Sequence, residues 1–120
     1  MKILLIEDDT FLSDMYVTKF SKLGYNISAA YDGIDGIKQA KKIKPEIILL
    51  DVRLPLKDGF EVLKEIKADD NIKNIPVILL TNLGQKEDID KGLKLGATDY
   101  LIKAQFTPQE VVDKVRQIVK

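Results

Sequence analysis

Four short apolar runs of this chain each lead into a residue able to do chemistry. Ile3-Leu4-Leu5-Ile6 runs into Glu7-Asp8-Asp9, and Ile47-Ile48-Leu49-Leu50 into Asp51. Val77-Ile78-Leu79-Leu80 runs into Thr81, and Tyr100-Leu101-Ile102 into Lys103. If these runs are parallel strands of one sheet, their endings share one edge. Carboxylates, a hydroxyl and an ammonium then meet in one pocket. Two ionised carboxylates about 4 Å apart repel by roughly 4 kcal/mol at an effective dielectric near 20. Such a cluster needs a cation, or one carboxyl must keep its proton. Oxygen ligands without histidine or cysteine select a hard ion, and Mg2+ suits a site that handles phosphate. These types in this pattern point to metal-dependent phosphoryl chemistry. Asp9 is better suited to starting the following helix than to the metal.

The pocket exists only if the elements between the runs are helices of the right length. Ile3 to Ile6 is continuously apolar, as a strand covered on both faces should be. Leu12, Met15, Tyr16, Phe20 and Leu23 mark one face of a first helix, with Gly24 as its left-handed cap. Tyr25, Ile27, Ala29 and Tyr31 alternate with polar residues, which suits an edge strand. A second helix turns Ile34, Ile37, Ala40 and Ile43 inward and must stop before Pro45. Phe60, Leu63 and Ile66 give the third helix its face, and Ile89, Leu93 and Leu95 the fourth. Thr107-Pro108-Gln109-Glu110 reads as a capping box with proline at the first helical position. Val111, Val112, Val115, Ile118 and Val119 line the last helix.

Strands alternating with helices argue an α/β fold: a doubly wound, five-stranded parallel sheet of flavodoxin-like type. Right-handed crossovers and the edge character of the second strand favour the order 2-1-3-4-5. Its switch point lies between strands 1 and 3, where ligands bind outside the carboxyl ends. Glu7, Asp8 and Asp9 form one lip of that crevice and Asp51 the other.

Composition narrows the chemistry further. The 120 residues include 19 basic and 19 acidic ones, for a formal net charge of +0. That balance favours neither nucleic acid nor an anionic membrane as direct partner. Without cysteine there is no disulfide or thiolate site, and without histidine the commonest general base is missing. No run approaches membrane-spanning length and the first is too short for a signal peptide, so a cytoplasmic location is expected.

From Asp51 the chain reads Asp51-Val52-Arg53-Leu54-Pro55-Leu56-Lys57-Asp58-Gly59. This segment resembles the phosphoacceptor loop of response-regulator receiver domains of two-component signalling. There an aspartate is followed four positions later by proline and then by an Asp/Asn-Gly turn. The acidic pair, Thr81 and Lys103 stand at the strand ends where that family keeps functional residues, so the resemblance spans essentially residues 1–120. It implies that Asp51 accepts a phosphoryl group from a sensor histidine kinase. It implies Mg2+ held by Asp8, Asp51 and the backbone carbonyl of Arg53, with Glu7 acting through water. Lys103 and Thr81 would hold the phosphoryl oxygens. Tyr100 would be the aromatic that changes rotamer, and the face of helix 4, strand 5 and helix 5 would change with it.

Two residues depart from the family pattern. Ala104 follows Lys103 where proline is usual, so either the loop is trans and reshaped or it holds a non-proline cis peptide costing about 2.5–4 kcal/mol. Phe106 accordingly falls one position late. Asn82 follows Thr81 where a small residue is common, and an amide there could narrow access to Asp51. Rival folds fit less well. Glu7-Asp8-Asp9 would repel a flavin phosphate, no Gly-rich Lys-Ser/Thr loop is present, and Arg53 stands where a dehalogenase-type phosphatase needs a second aspartate. The resemblance also implies no enzyme beyond self-phosphorylation and dephosphorylation, and a monomer or phosphorylation-dependent homodimer acting on an unidentified downstream protein. With only one helix after Lys103 no output domain is expected, the chain being either a stand-alone regulator or the receiver piece of a longer protein. The alternative is a receiver-like interaction module that acts without phosphorylation.

Overall fold

The computed structural model describes residues 1–119. Strand β1 (Lys2–Ile6) is followed by α1 (Thr10–Lys22), β2 (Asn26–Ala30) and α2 (Gly33–Ile43). Then come β3 (Ile47–Leu50), α3 (Gly59–Ala68), β4 (Val77–Thr81), α4 (Lys86–Lys94), β5 (Asp99–Ile102) and α5 (Pro108–Ile118). The strands form one parallel sheet in the order β2-β1-β3-β4-β5, as the patterning implies. Every residue of β3 and β4 is buried, because both faces of a central parallel strand carry helices. On one face Leu4, Ile6, Ile48, Leu50 and Leu79 pack with Ile37, Leu63 and Ile66. On the other, Ile3, Leu5, Leu49 and Leu80 meet Tyr16, Phe20, Val111 and Val115. Consecutive residues thus feed opposite cores, as the two-residue period of a strand requires.

Local signals fix most of the helix starts. Asp9 caps α1 by accepting from the Leu12 amide at 3.1 Å, and Asp32 caps α2 by accepting from Asp35 at 2.7 Å. Asp58 with Glu61 and Thr107 with Glu110 form complete capping boxes. Of the five described α-helices, α4 alone begins without a side-chain cap. Gly24, at φ +90°, turns the chain after α1.

The inward faces differ from the periodicity in four places. Ile34 is 53% exposed, because Gly33 and Gly36 hold the inward positions of α2. A Cβ on Gly36 would stand 2.6 Å from the Ile6 Cδ1 atom, so the helix lies too close to β1 for a larger residue. Leu93, 46% exposed, sits one residue and 100° around α4 from its single buried position, Gly92. Leu23 is exposed as the C-cap residue beyond the last turn of α1, and Tyr31 is exposed past the end of β2. Ser13 takes a buried place on α1 instead, its hydroxyl without a protein partner. Among the described residues no helix is long and apolar enough to cross a membrane.

Candidate functional site

Register brings the four strand endings together. Ile6 of β1 pairs with Leu50 of β3, so Glu7 and Asp51 emerge side by side at the switch point. The Asp51 amide donates to the Ile6 carbonyl at 3.0 Å, extending the ladder one residue beyond the strand. Thr81 pairs with Ile102 across β4 and β5, which puts Lys103 next along the same edge. Behind Asp51 the loop folds back until α3 rests on it. The Gly59 amide donates to the Val52 carbonyl at 2.7 Å, and a Cβ on Gly59 would lie 2.2 Å from the Asp51 carbonyl oxygen. No residue but glycine fits there.

Carboxylate oxygens of Glu7, Asp8 and Asp51 can all lie within 4.8 Å of one another. Glu7 and Asp51 are buried at 2% and 6% exposure, whereas Asp8 faces solvent. Lys103 spans the two buried acids. Its ammonium donates to Asp51 Oδ2 at 3.0 Å and to Glu7 Oε1 in a closer contact. The other Asp51 oxygen accepts from the Arg53 amide at 3.3 Å, which brings the Arg53 backbone to the site while its side chain is exposed. The second Glu7 oxygen accepts from the Asp9 amide at 3.2 Å.

Three carboxylates around one ammonium leave excess negative charge in a poorly hydrated place. Burial pushes the Glu7 carboxyl up from 4.5 to about 7; the Lys103 hydrogen bond opposes this and the Asp51 charge reinforces it. Burial would lower the Lys103 ammonium, but its contacts with Glu7 and Asp51 prevail and raise it. The donor set is therefore all-oxygen, anionic and short of positive charge. It fits a hard divalent cation such as Mg2+.

Thr81 at the same edge and Tyr100, two residues before the end of β5, both reach the loop after β4. The buried Thr81 hydroxyl accepts from the Leu83 amide at 3.4 Å, and the Tyr100 hydroxyl donates to the Leu83 carbonyl at 2.6 Å. Tyr100 is thus already tied to the loop after β4. Asn82 is exposed. The peptide after Lys103 is trans, since no cis peptide is found among the described residues. Lys103–Gln105 forms one 3-10 turn closed by the Phe106 amide on the Lys103 carbonyl at 3.3 Å. That turn absorbs the extra residue and still lets Phe106 pack on the core. Sequence reasoning missed the Lys103 bridge to Glu7 and the Leu83 backbone as partner of both Thr81 and Tyr100. Neither leaves a signal in residue type.

This arrangement has counterparts in known proteins. A family model described as the response regulator receiver domain matches residues 3–116. The DNA-binding dual master transcriptional regulator RpaA of Synechocystis sp. is 39% identical over 99% of this chain and 49% of its own length. The chain spans about half the length of the curated relatives it matches. The BeF3-activated N-terminal receiver domain of RstA from Klebsiella pneumoniae superposes with a TM-score of 0.92 at 25% identity. It covers 100% of this chain and 99% of that one. The receiver domain of sensor histidine kinase PA1611 from Pseudomonas aeruginosa, with a magnesium ion coordinated in its active site cleft, gives 0.89 at 31% identity. There the cover is 98% and 96%. With that match along nearly its whole length and an acidic pocket at the switch point of its sheet, the chain belongs to the response regulator receiver domain family of two-component systems.

Proposed function

We propose that this domain accepts a phosphoryl group on Asp51 from the phosphohistidine of a sensor histidine kinase and passes the signal through the surface of α4, β5 and α5. One observation carries the reading: Asp51 stands buried at a central strand end, 3.0 Å from the Lys103 ammonium and grouped with Glu7 and Asp8. Asp8, Asp51 and the Arg53 backbone carbonyl would hold Mg2+, with Glu7 behind them; the magnesium in the PA1611 cleft supports that choice. Bound there, the ion would offset the charge on the phosphoryl oxygens and help align the group for in-line transfer.

The remaining work falls to the protein. An Asp51 oxygen attacks phosphorus, the bond to the donor ring nitrogen breaks, and the ring, protonated on its other nitrogen, leaves as neutral imidazole with the electron pair. Lys103 keeps its proton throughout and pairs with a phosphoryl oxygen in place of a carboxylate. Thr81 exchanges its 3.4 Å contact with the Leu83 amide for a hydrogen bond from its hydroxyl to another phosphoryl oxygen. The new group brings a charge of about −1.5 to −2, so both contacts are charge-assisted. The BeF3-activated state of the RstA domain supports a pocket of this shape accepting such a group.

Incubation with acetyl phosphate and Mg2+ should add the mass of one phosphoryl group to the chain, and Asp51→Asn should add none. Equal labelling of the Asn variant would overturn the assignment.

A further inference from the structure

Helix α4 is anchored unlike the other helices. It starts without a side-chain cap, its only buried residue is Gly92, and Leu93 beside that glycine is 46% exposed. The contact that seats it is therefore backbone against side chain. A Cβ built on Gly92 would stand 2.5 Å from Leu79 Cδ1, 3.1 Å from Tyr100 Cδ2 and 3.3 Å from Tyr100 Cε2. Leu79 is fully buried in β4 and pairs with Tyr100 in the strand register, so neither neighbour is an idle surface group. The far end of the same ring carries the hydroxyl that holds the Leu83 carbonyl at 2.6 Å, in the loop that leads into α4.

We infer that Gly92 is a positioning residue for Tyr100: its missing side chain lets the ring lie between α4 and the sheet while its hydroxyl reaches Leu83. One ring thus ties both the approach to α4 and the middle of the helix to β5. A methyl group at position 92 would require Leu79 to yield first, and the ring by a few tenths of an ångström next. Helix and ring move apart, and the hydroxyl bond at the other end lengthens. Burial of that hydroxyl, with the Asp88 and Asp51 charges, pushes it up to about 12, so it stays a donor. The inference bears on the output role expected of Tyr100 but stands on the geometry of the unphosphorylated chain. Its test uses unphosphorylated protein, so failure here leaves the acceptor chemistry at Asp51 standing.

Gly92→Ala, labelled with carbon-13 in tyrosine rings and leucine carbonyls, should shift the Tyr100 ring and Leu83 carbonyl signals while those of Tyr16 and Tyr25 stay in place. A folded Gly92→Ala protein with unchanged Tyr100 and Leu83 signals overturns the inference. Stability is measured in parallel for Gly92→Ala, Tyr100→Ala and the double variant. Coupling predicts that Gly92→Ala costs less once Tyr100 is gone, since contacting residues are not additive. If Gly92→Ala alone fails to fold, recovery of a folded double variant supports the inference, and failure of both overturns it. A displaced Tyr100 in Gly92→Ala supports the inference even if the α4–β5–α5 face of the unmodified chain proves indifferent to a phosphoryl mimic, a result that would remove only the output reading.

Discussion

Glu7 holds two roles that pull against each other. Folding places it where its charge is poorly hydrated, and its carboxyl titrates at about 7 rather than 4.5. A group whose folded value is raised favours the folded state below its unfolded value, and that contribution is lost as pH rises through the folded value. Metal-free protein should therefore lose stability between about pH 4.5 and about pH 7. Mg2+ reverses the sense, because its oxygen ligands and their neighbours act as anions. Thermal unfolding in the presence of a chelator should show the midpoint falling across that window, and Glu7→Gln should flatten the fall. Added Mg2+ should raise the midpoint more at the upper end of the window than at the lower. A wild-type profile that overlays the Glu7→Gln profile would show that the carboxyl is not held protonated by the fold. Lys103 answers to the same charges. Removing it would strand two buried carboxylates, and breaking such a pair typically costs about 3–5 kcal/mol.

The elements divide into those held by their own sequence and those held by neighbours. Helix α5 belongs to the first group: the Thr107 hydroxyl accepts from the Glu110 amide at 3.2 Å, the Glu110 carboxylate accepts from the Thr107 amide at 2.9 Å, and Pro108 follows at the first helical position. Thr107→Ala should cost about 1 kcal/mol by loss of the cap, read as a lower denaturant midpoint with an unchanged slope. A loss below a few tenths would mean that packing of Val111, Val112 and Val115 holds the helix start. Caps, apolar runs and the edge strand are local, which is why element order, sheet order and the gathering of Glu7, Asp8, Asp51 and Lys103 at one edge were legible in the sequence. Distance between elements was not. Ile34 has the spacing of an inward residue, yet α2 approaches Ile6 so closely that glycines take that face. Ser13 is polar by type and buried by position. The Lys103 bridge to Glu7 joins residues far apart in sequence, and the Leu83 backbone atoms that receive Thr81 and Tyr100 carry no residue signature at all.

At the scale of the whole domain, the proposed acceptor and the proposed output surface are joined by few contacts. Asp51 lies one strand from Thr81, Thr81 accepts from the Leu83 amide, the Leu83 carbonyl accepts from Tyr100, and the Tyr100 ring lies against Gly92 of α4. On the proposed mechanism, drawing the Thr81 hydroxyl toward a phosphoryl group would break the first of these bonds and leave Leu83 held only from the Tyr100 side. The loop is then free to follow Thr81, and Tyr100 and α4 must follow the loop or release it. A group bound at Asp51 shifts such an equilibrium only by its differential contacts, and inverting a 1:99 population takes about 5.5 kcal/mol. Two charge-assisted hydrogen bonds of about 1.5–3 kcal/mol each, from Lys103 and Thr81, are of that size. We therefore expect amide spectra taken with and without beryllofluoride and Mg2+ to change at Thr81, at Leu83 and along residues 86–119. The same additions to Thr81→Ala should change the Asp51 pocket but leave α4 and α5 nearly still. Shifts confined to the pocket in the unmodified chain would refute transmission through Leu83 while leaving phosphoryl acceptance by Asp51 intact.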